Sequence, residues 1–263
     1  MGRVVTIHSN RGGTGKSLLS INLAAALAQL GKAICLLDLD FRAPSLSTIF
    51  EIEHPSRWVN DFMGGQCELG EVVIDLTHRY GTEGRFLVGL ANPSIDAIRA
   101  ITSRDRRWEK NALRRLLSMK SGWVEKNVDY AILDASPGVQ YSSVNAVACS
   151  DIVIVVTTMD ALDIRGTRRM VNELYRAFEK EVIILVNKAY PSVKSWEMEA
   201  KLEGLDVRLR ETFGLRILVV IPCYCDILRA SRMSIYTLER PDHPFSKAVF
   251  GIAEVLLNPN PRY

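Results

Sequence analysis

The chain has 263 residues, a formal net charge of +3 and a hydrophobic fraction of 48%, which are ordinary values for a globular protein. No apolar run approaches the roughly 18 residues that a membrane-spanning helix needs, and the first residues lack the pattern of a secretory leader. The five cysteines are scattered and odd in number, which argues against a disulfide framework. We therefore expect a cytoplasmic protein, and the small net charge gives no global reason to expect nucleic-acid binding.

A glycine-rich stretch near the amino terminus, Ser9–Ser17, has the sequence SNRGGTGKS. It follows an apolar run, Val4–Ile7, and precedes a helix-like run. A strand, a glycine-rich turn, Gly-Lys-Ser and a helix are the layout of a phosphate-binding P-loop. Glycines let backbone N–H groups converge on anionic oxygens, and the helix aims its positive end at them. We expect Lys16 to bind the β- and γ-phosphates and Ser17 to bind Mg²⁺.

Two positions of this loop depart from the general P-loop pattern. Asn10 stands where the first glycine is expected, and Arg11 directly precedes the Gly12-Gly13 pair. A basic residue before a Gly-Gly pair is typical of the deviant form of the loop, in which that residue is normally Lys. Arginine keeps the positive charge and binds phosphate oxygens in a bidentate manner.

Beyond the loop, apolar runs alternate with helical patterns. This alternation predicts right-handed βαβ units and an α/β fold, with a doubly wound, mostly parallel sheet that is flanked by helices on both faces. We expect strands at Val4–Ile7, Lys32–Asp40, Arg85–Leu90, Val128–Asp134, Asp151–Thr158, Glu181–Val186 and Leu215–Ile221. We expect helices near 18–27, 45–50, 58–63, 68–76, 95–102, 107–124, 140–149, 164–179, 191–213, 226–232 and 244–257. No break in composition divides the chain, so we expect one domain over residues 1–263.

Acidic residues end two of the predicted strands. Asp38 and Asp40 alternate along the first, so only one of them can face the phosphates. Asp134 ends the second and is followed by Ala-Ser-Pro-Gly, which is the form of a Walker B segment that delivers a carboxylate to Mg²⁺. A backbone N–H in the following turn can sense a γ-phosphate.

Taken in chain order, these motifs resemble the ParA/MinD branch of deviant Walker A ATPases, and its MinD-like members most closely. The resemblance runs nearly end to end and rests on 11–17, 38–40, 133–138, 151–158, 186–188, 221–222, 240–241 and 246–248. It implies a P-loop NTPase fold and a molecular switch that binds and hydrolyses Mg-ATP. It also implies a nucleotide-sandwich homodimer that engages a protein partner for positioning or regulation.

The resemblance also implies roles for single residues. Lys16, Asp40 and Arg11 would be catalytic, with Asp40 orienting the attacking water and Arg11 reaching across to the partner's phosphates. Ser17, Asp40 and Asp134 would form the metal site. Asn187 would hydrogen-bond adenine, with the backbone near Pro222 closing the base pocket. The full nucleotide-binding set would be Arg11, Gly12, Gly13, Thr14, Gly15, Lys16, Ser17, Leu18, Gly138, Asn187, Lys188 and Pro222.

Several departures keep alternatives open. The chain ends in two prolines soon after Leu257, so we do not expect the amphipathic membrane helix of membrane-cycling relatives. Cys223 stands where partitioning relatives have an Arg, yet a ParA-type DNA-binding partition ATPase stays an alternative. Arg11 in place of Lys keeps open a regulatory pseudo-ATPase with little turnover. The Cys223 and Cys225 pair raises an iron–sulfur carrier, although two packed thiols are the plainer interpretation.

Two further side chains lie near the expected ligand edge of the sheet. His8 precedes the glycine-rich loop, and we interpret it as a strand histidine with its hydrogen bonds satisfied within the fold. We expect Asp160, just beyond a strand end, to pair with Arg11 of a second subunit when the site is empty.

Overall fold

A mostly parallel sheet forms the centre of the computed structural model, which describes residues 2–125, 127–189, 211–215, 217–229 and 234–258. Within these residues the sheet has eight strands in the order β3-β4-β2-β5-β1-β6-β7-β8. The strands are β1 (Arg3–His8), β2 (Ile34–Leu39), β3 (Val73–Asp75), β4 (Phe86–Gly89), β5 (Tyr130–Ala135), β6 (Ile152–Thr157), β7 (Glu181–Ala189) and β8 (Ile217–Pro222). Every described pairing is parallel except that of β3 with β4, which confirms the predicted doubly wound α/β class.

Helices cover both faces of this sheet. They are α1 (Lys16–Gln29), α2 (Leu46–Ile49), α3 (Val59–Gly64), α4 (Leu69–Val72), α5 (Thr77–Tyr80), α6 (Ile95–Thr102), α7 (Arg106–Glu125), α8 (Tyr141–Cys149), α9 (Ala161–Met170), α10 (Cys225–Arg229), α11 (Tyr236–Glu239) and α12 (Pro244–Leu257). Because successive side chains of a strand point to opposite faces, Val5 and Ile7 pack in the cluster that holds α1 and α12. Val4 packs in the cluster that holds α3, α7 and α8. The continuous apolar strands of the sequence are thus buried on both sides.

The structure corrects the predicted elements in two places. The helix predicted over 68–76 stops at Val72, and Val73–Asp75 instead forms the antiparallel edge strand β3, which suits its β-branched residues. The helix predicted over 164–179 begins earlier, at Ala161, because the Asp160 carboxylate accepts the N–H groups of residues 162 and 163. It is also not regular throughout, since a π-helical turn spans Val171–Tyr175.

Some predictions fall on residues that the structure does not describe. Most of the helix predicted over 191–213 and the end of the one predicted over 226–232 lie outside the described residues. No helix in the described ranges is both long and apolar enough to span a bilayer. The single domain over 1–263 and the cytoplasmic setting stay predictions.

Candidate functional site

A cavity of about 550 Å³ lies where the glycine-rich loop, the segment after β2 and the end of β7 meet. This is the edge at which open α/β sheets place their ligands. The cavity brings together most of the predicted site residues, namely Gly12, Gly13, Gly15, Lys16, Ser17, Leu18, Asp40, Asn187, Lys188 and Pro222. Of the other predicted residues, Arg11 and Gly138 stand beside the loop, while Thr14 and Asp134 are buried.

The loop is held in shape by the end of β7. Gly13 and Gly15 have φ values of +80° and +99°, which favour glycine. A Cβ on Gly15 would lie 2.4 Å from Asn187 Nδ2, so the amide side chain occupies the space that a larger residue would need. Asn187 Nδ2 donates to the carbonyl oxygen of Thr14 at 2.8 Å, and Lys188 Nζ donates to that of Gly13. Asn187 therefore braces the loop as well as lining the cavity.

Lys16 is buried at the first position of α1, with a carboxylate environment around it. Burial lowers the pKa of its ammonium group, whereas the charges of Asp134, Asp40 and Asp163 act in the opposite direction. Desolvation outweighs the three carboxylate charges, so the pKa of Lys16 lies below its usual value. It is only 6% exposed, so its charge acts in a poorly solvated site.

The two acids at the end of β2 have separate surroundings, as their alternation predicts. Asp40 lines the cavity. Asp38 is fully buried, and its carboxylate accepts the backbone N–H of Asp40 at 3.0 Å and that of Leu46 at 3.4 Å. Burial, followed by the charge of Asp134, raises the pKa of Asp38 well above its usual range. Asp38 thus shapes the turn that presents Asp40 to the cavity.

Asp134 lies at the end of β5, beneath the loop. Its Oδ1 accepts a hydrogen bond of 3.0 Å from Ser20 Oγ, while no described residue donates to its buried Oδ2. Burial raises its pKa to about 6, although the Ser17 hydroxyl, the Lys16 charge and the Ser20 hydroxyl lower it. An unsatisfied buried carboxylate oxygen near Ser17 and Asp40 supplies the hard oxygen ligands that Mg²⁺ prefers. The residues present therefore fit a magnesium ion and its water shell.

The turn at Gly138 is tied to the start of the loop. Its N–H donates to the Ser9 carbonyl at 2.8 Å, and its own carbonyl accepts from His8 Nε2 at 3.0 Å. His8 Nδ1 is therefore the acceptor nitrogen of a neutral ring and accepts a hydrogen bond of 2.8 Å from the Tyr175 hydroxyl. Burial lowers the pKa of His8 to about 4, which keeps it neutral. The interpretation of His8 as a satisfied strand histidine is confirmed.

Arg11 is not among the residues that line the cavity, and it pairs within its own chain. Its Nη1 lies 2.8 Å from Asp160 Oδ1, and both side chains are about half exposed. The structure shows this pair inside the subunit, whereas we expected it between subunits. The same Asp160 oxygen accepts the N–H groups that begin α9, so one carboxylate serves as helix cap and ion-pair partner.

Sequence reasoning missed three buried side chains that support the site. Ser20 bonds Asp134, and Ser136 bonds Asp40. Asp163 accepts the backbone N–H of Thr158 at 2.8 Å and adds to the negative charge near Lys16. For Ser136 a signal existed, because it lies inside the Asp-Ala-Ser-Pro-Gly motif. No signal in the sequence pointed to Asp163, because its burial depends on how α9 packs against β6.

The cysteines at the end of β8 are not two packed thiols. Cys223 is half-buried and lines the cavity, whereas Cys225 is exposed, and both are free. Across the described ranges, no group of three or more His, Cys, Asp or Glu side chains is arranged to hold a metal ion.

A family comparison decides the class of the protein. Residues 2–186 match the AAA_31 family model, which describes an AAA domain. The chain belongs to this family. Together with the relatives and solved structures that it matches, this confirms the resemblance to ParA/MinD P-loop ATPases.

Individual relatives and solved structures match nearly the whole length of this chain. It is 28% identical to the septum site-determining protein MinD of Thermotoga maritima over 239 residues, which is 89% of this chain and 80% of that protein. It is 25% identical to the iron–sulfur cluster carrier protein of Pyrococcus furiosus over 261 residues, or 97% and 85% of the two chains. A solved structure of MinD from Pyrococcus horikoshii, complexed with Mg-ADP, superposes with a TM-score of 0.74 at 18% identity and covers 97% of this chain and 96% of that one.

Proposed function

We propose that this protein is a Mg-ATP-binding and ATP-hydrolysing switch of the MinD type. The observation that carries the proposal is the cavity in which Lys16, Ser17 and Asp40 meet at the glycine-rich loop, with Asp134 buried beneath it. The Mg-ADP in the Pyrococcus horikoshii MinD structure supports nucleotide as the ligand. The MinD relative from Thermotoga maritima supports the same class of protein.

The residues of the loop account for phosphate binding. The backbone N–H groups of a glycine-rich loop that enters a helix converge on anionic oxygens, and the helix N-terminus adds positive potential. Lys16 adds a full charge that is already desolvated, so little reorganisation is needed when phosphate arrives. When bound, Mg²⁺ would neutralise developing charge on the phosphate oxygens, held by Ser17 and by Asp134.

Asp40 is the residue that we propose for orienting the attacking water. It lies at the cavity wall and is 9% exposed. The hydrogen bonds that it receives from described residues go to Oδ1, from Ser136 Oγ and from the backbone N–H of Ala43. Its Oδ2 therefore stays available to accept a hydrogen bond from water.

We further propose that ATP closes a homodimer that engages a protein partner. Arg11 stands beside the loop at the surface, where an arginine could contact phosphates of a second subunit. Large apolar side chains next to the Gly138 turn and next to Asp160 are strongly exposed, namely Val139 at 65%, Tyr141 at 56% and Leu162 at 63%. An apolar rim of this kind is typical of a protein contact surface. The partner would respond to nucleotide through its different affinity for the two states.

The deciding experiment measures ATP turnover and ATP-dependent dimerisation of the wild type, Lys16→Ala and Asp40→Ala. We expect Lys16→Ala to lose both properties, and Asp40→Ala to dimerise with ATP but to hydrolyse it only at a low residual rate. Asp96→Ala is the matched control, because Asp96 is an exposed acid in α6 that is absent from the cavity lining. Normal hydrolysis by Asp40→Ala would show that the catalytic assignment is wrong.

An iron–sulfur carrier is the second candidate. Two observations favour it, namely the Pyrococcus furiosus relative of that name and the position of Cys223 in the cavity wall. The test is anaerobic reconstitution with iron and sulfide. Visible absorbance that depends on Cys223 and Cys225 would support a carrier, and its absence would dismiss one.

A further inference from the structure

The register between β2 and β5 brings together the two segments that leave these strands. Leu39 pairs with Ala135 in this parallel ladder, so the next residues, Asp40 and Ser136, leave the sheet side by side. Ser136 Oγ lies 3.0 Å from Asp40 Oδ1 and 3.2 Å from the carbonyl oxygen of Leu39. Ser136 is fully buried, so these contacts are shielded from water.

The hydroxyl of Ser136 has one proton and two acceptors. A hydrogen bond to a carboxylate is stronger than one to a neutral carbonyl, so the proton goes to Asp40 in preference to Leu39. The Ser142 hydroxyl, 3.5 Å away, donates towards Ser136 Oγ and leaves its proton free for Asp40. The hydrogen bond from Ser136 Oγ to Asp40 Oδ1 orients the Asp40 carboxylate within the cavity wall.

We propose that Ser136 is a positioning residue for ATP hydrolysis, acting through Asp40. Its hydroxyl fixes which oxygen of Asp40 faces the cavity, and it joins the segment after β2 to the Ser-Pro-Gly turn after β5. The proposal rests on the proposed function, in which Asp40 orients the attacking water. Geometry of this kind matters for rate, because small misplacements of a reacting group slow catalysis strongly.

The Leu39 carbonyl, the second acceptor of the Ser136 hydroxyl, allows Asp40 to move. If Asp40 moves towards a bound ligand, the Ser136 proton can turn to the Leu39 carbonyl, which is already within reach. The buried hydroxyl then keeps a partner, so releasing Asp40 does not leave an unsatisfied donor. Ser136 can therefore orient Asp40 without locking it in place.

The test compares Ser136→Ala with Ser136→Thr, which keeps the hydroxyl, and with Ser150→Ala. Ser150 is an equally buried serine whose hydroxyl bonds the Val147 carbonyl, away from the cavity lining. Turnover is measured per nucleotide-bound site, so that any unfolded fraction does not count, and ATP affinity is measured separately. We expect Ser136→Ala to lower kcat about tenfold with unchanged affinity. We expect Ser136→Thr and Ser150→Ala to retain most of the wild-type turnover.

Testing Ser136→Ala also in the Asp40→Ala variant separates this proposal from the proposed function on which it rests. In Asp40→Ala protein, Ser136→Ala should cause no further loss of residual single-turnover hydrolysis, because the two act as one unit. Equal loss in both backgrounds, or equal loss in the Thr and Ala variants, would overturn the positioning role. So would wild-type turnover of Ser136→Ala when Asp40→Ala is inactive. Wild-type turnover of Asp40→Ala would instead overturn the catalytic assignment, and the Ser136 proposal with it.

Discussion

Arg11 Nη1 lies 2.8 Å from Asp160 Oδ1 within one chain, which ties the start of the glycine-rich loop to the start of α9. An arginine held in this way is not free to contact phosphates of a second subunit. In the proposed dimer Arg11 must leave Asp160, and the contact therefore opposes dimerisation. Because both side chains are about half exposed, solvent screens the pair and the opposition is small.

Replacing Asp160 by Asn should favour ATP-dependent dimerisation. Asn removes the charge that holds Arg11 but keeps a side-chain oxygen that can cap α9, so we expect little change in the free energy of unfolding. Asp160→Ala is the comparison, since it also loses the cap and should cost about 1 kcal/mol of stability. Sedimentation velocity with ATP measures the dimer. A weaker dimer in Asp160→Asn would contradict the opposing role.

Alanine substitutions at two glycines of the loop should affect protein stability and ATP binding differently. A Cβ on Gly12 would meet nothing within 4 Å, so Gly12→Ala should fold as stably as the wild type. It should nevertheless bind ATP more weakly, because Gly12 lines the cavity and the added methyl approaches the phosphates. Gly15→Ala should both destabilise the protein and abolish binding, since its Cβ would lie 2.4 Å from Asn187 Nδ2 at a φ of +99°. Melting curves and calorimetric titration read the two effects, and unchanged ATP affinity of Gly12→Ala would contradict the placement of the phosphates.

Asp134→Asn should stabilise the ligand-free protein while removing the Mg²⁺ dependence of ATP binding. The folded-state pKa of Asp134 is raised from 3.8 to about 6, so as pH rises the unfolded chain loses this proton first, and stability is lost between these two pKa values and stays lost above the higher one. The gain in unfolding free energy should reach about 3 kcal/mol at most at pH 8 and shrink at pH 5, where the wild-type carboxyl is largely protonated. Urea unfolding at both pH values measures it. An equal gain at both values would contradict a charge effect.

His8 should lower the free energy of unfolding as pH falls, which is opposite to the effect of Asp134. Its folded-state pKa is lowered from 6.5 to about 4, so the unfolded chain binds the proton first as pH falls. Between pH 7.5 and pH 5 the wild type should lose about 2 kcal/mol relative to His8→Gln. The raised pKa values of Asp38 and Asp134 act in both proteins and cancel in this comparison. The exposed His54 is the control, and a His54→Gln variant should follow the wild type.

Much of the fold followed from local patterns. The glycine-rich turn at Ser9–Ser17, with a strand before it and a helix after it, was predictable because the chemistry of phosphate binding restricts the residues there. The alternation of Asp38 and Asp40 correctly predicted that only one would face the cavity. The edge strand Val73–Asp75 was not predicted, because three residues carry too little periodicity to outweigh a helical start.

What the sequence did not reveal depends on contacts between distant segments. The contact of Ser136 with Asp40 follows from the register of β2 with β5, which no local pattern encodes. The Arg11–Asp160 pair spans 149 positions of the chain and was expected between subunits. Roles for Lys16, Asp40 and Asp134 remain proposals, although Lys16 and Asp40 line one cavity and Asp134 is buried close to both, as the proposed function requires.

Calorimetric titration of ATP, with and without Mg²⁺, into the wild type and Lys16→Ala tests directly whether the glycine-rich loop binds Mg-ATP. We expect Mg²⁺-dependent binding at one site per chain that is lost in Lys16→Ala, because a neutral side chain leaves the phosphates facing three carboxylates without their counter-charge. Lys110→Ala, which changes an exposed lysine outside the cavity, should bind like the wild type. Equal ATP affinity of Lys16→Ala and the wild type would contradict the account.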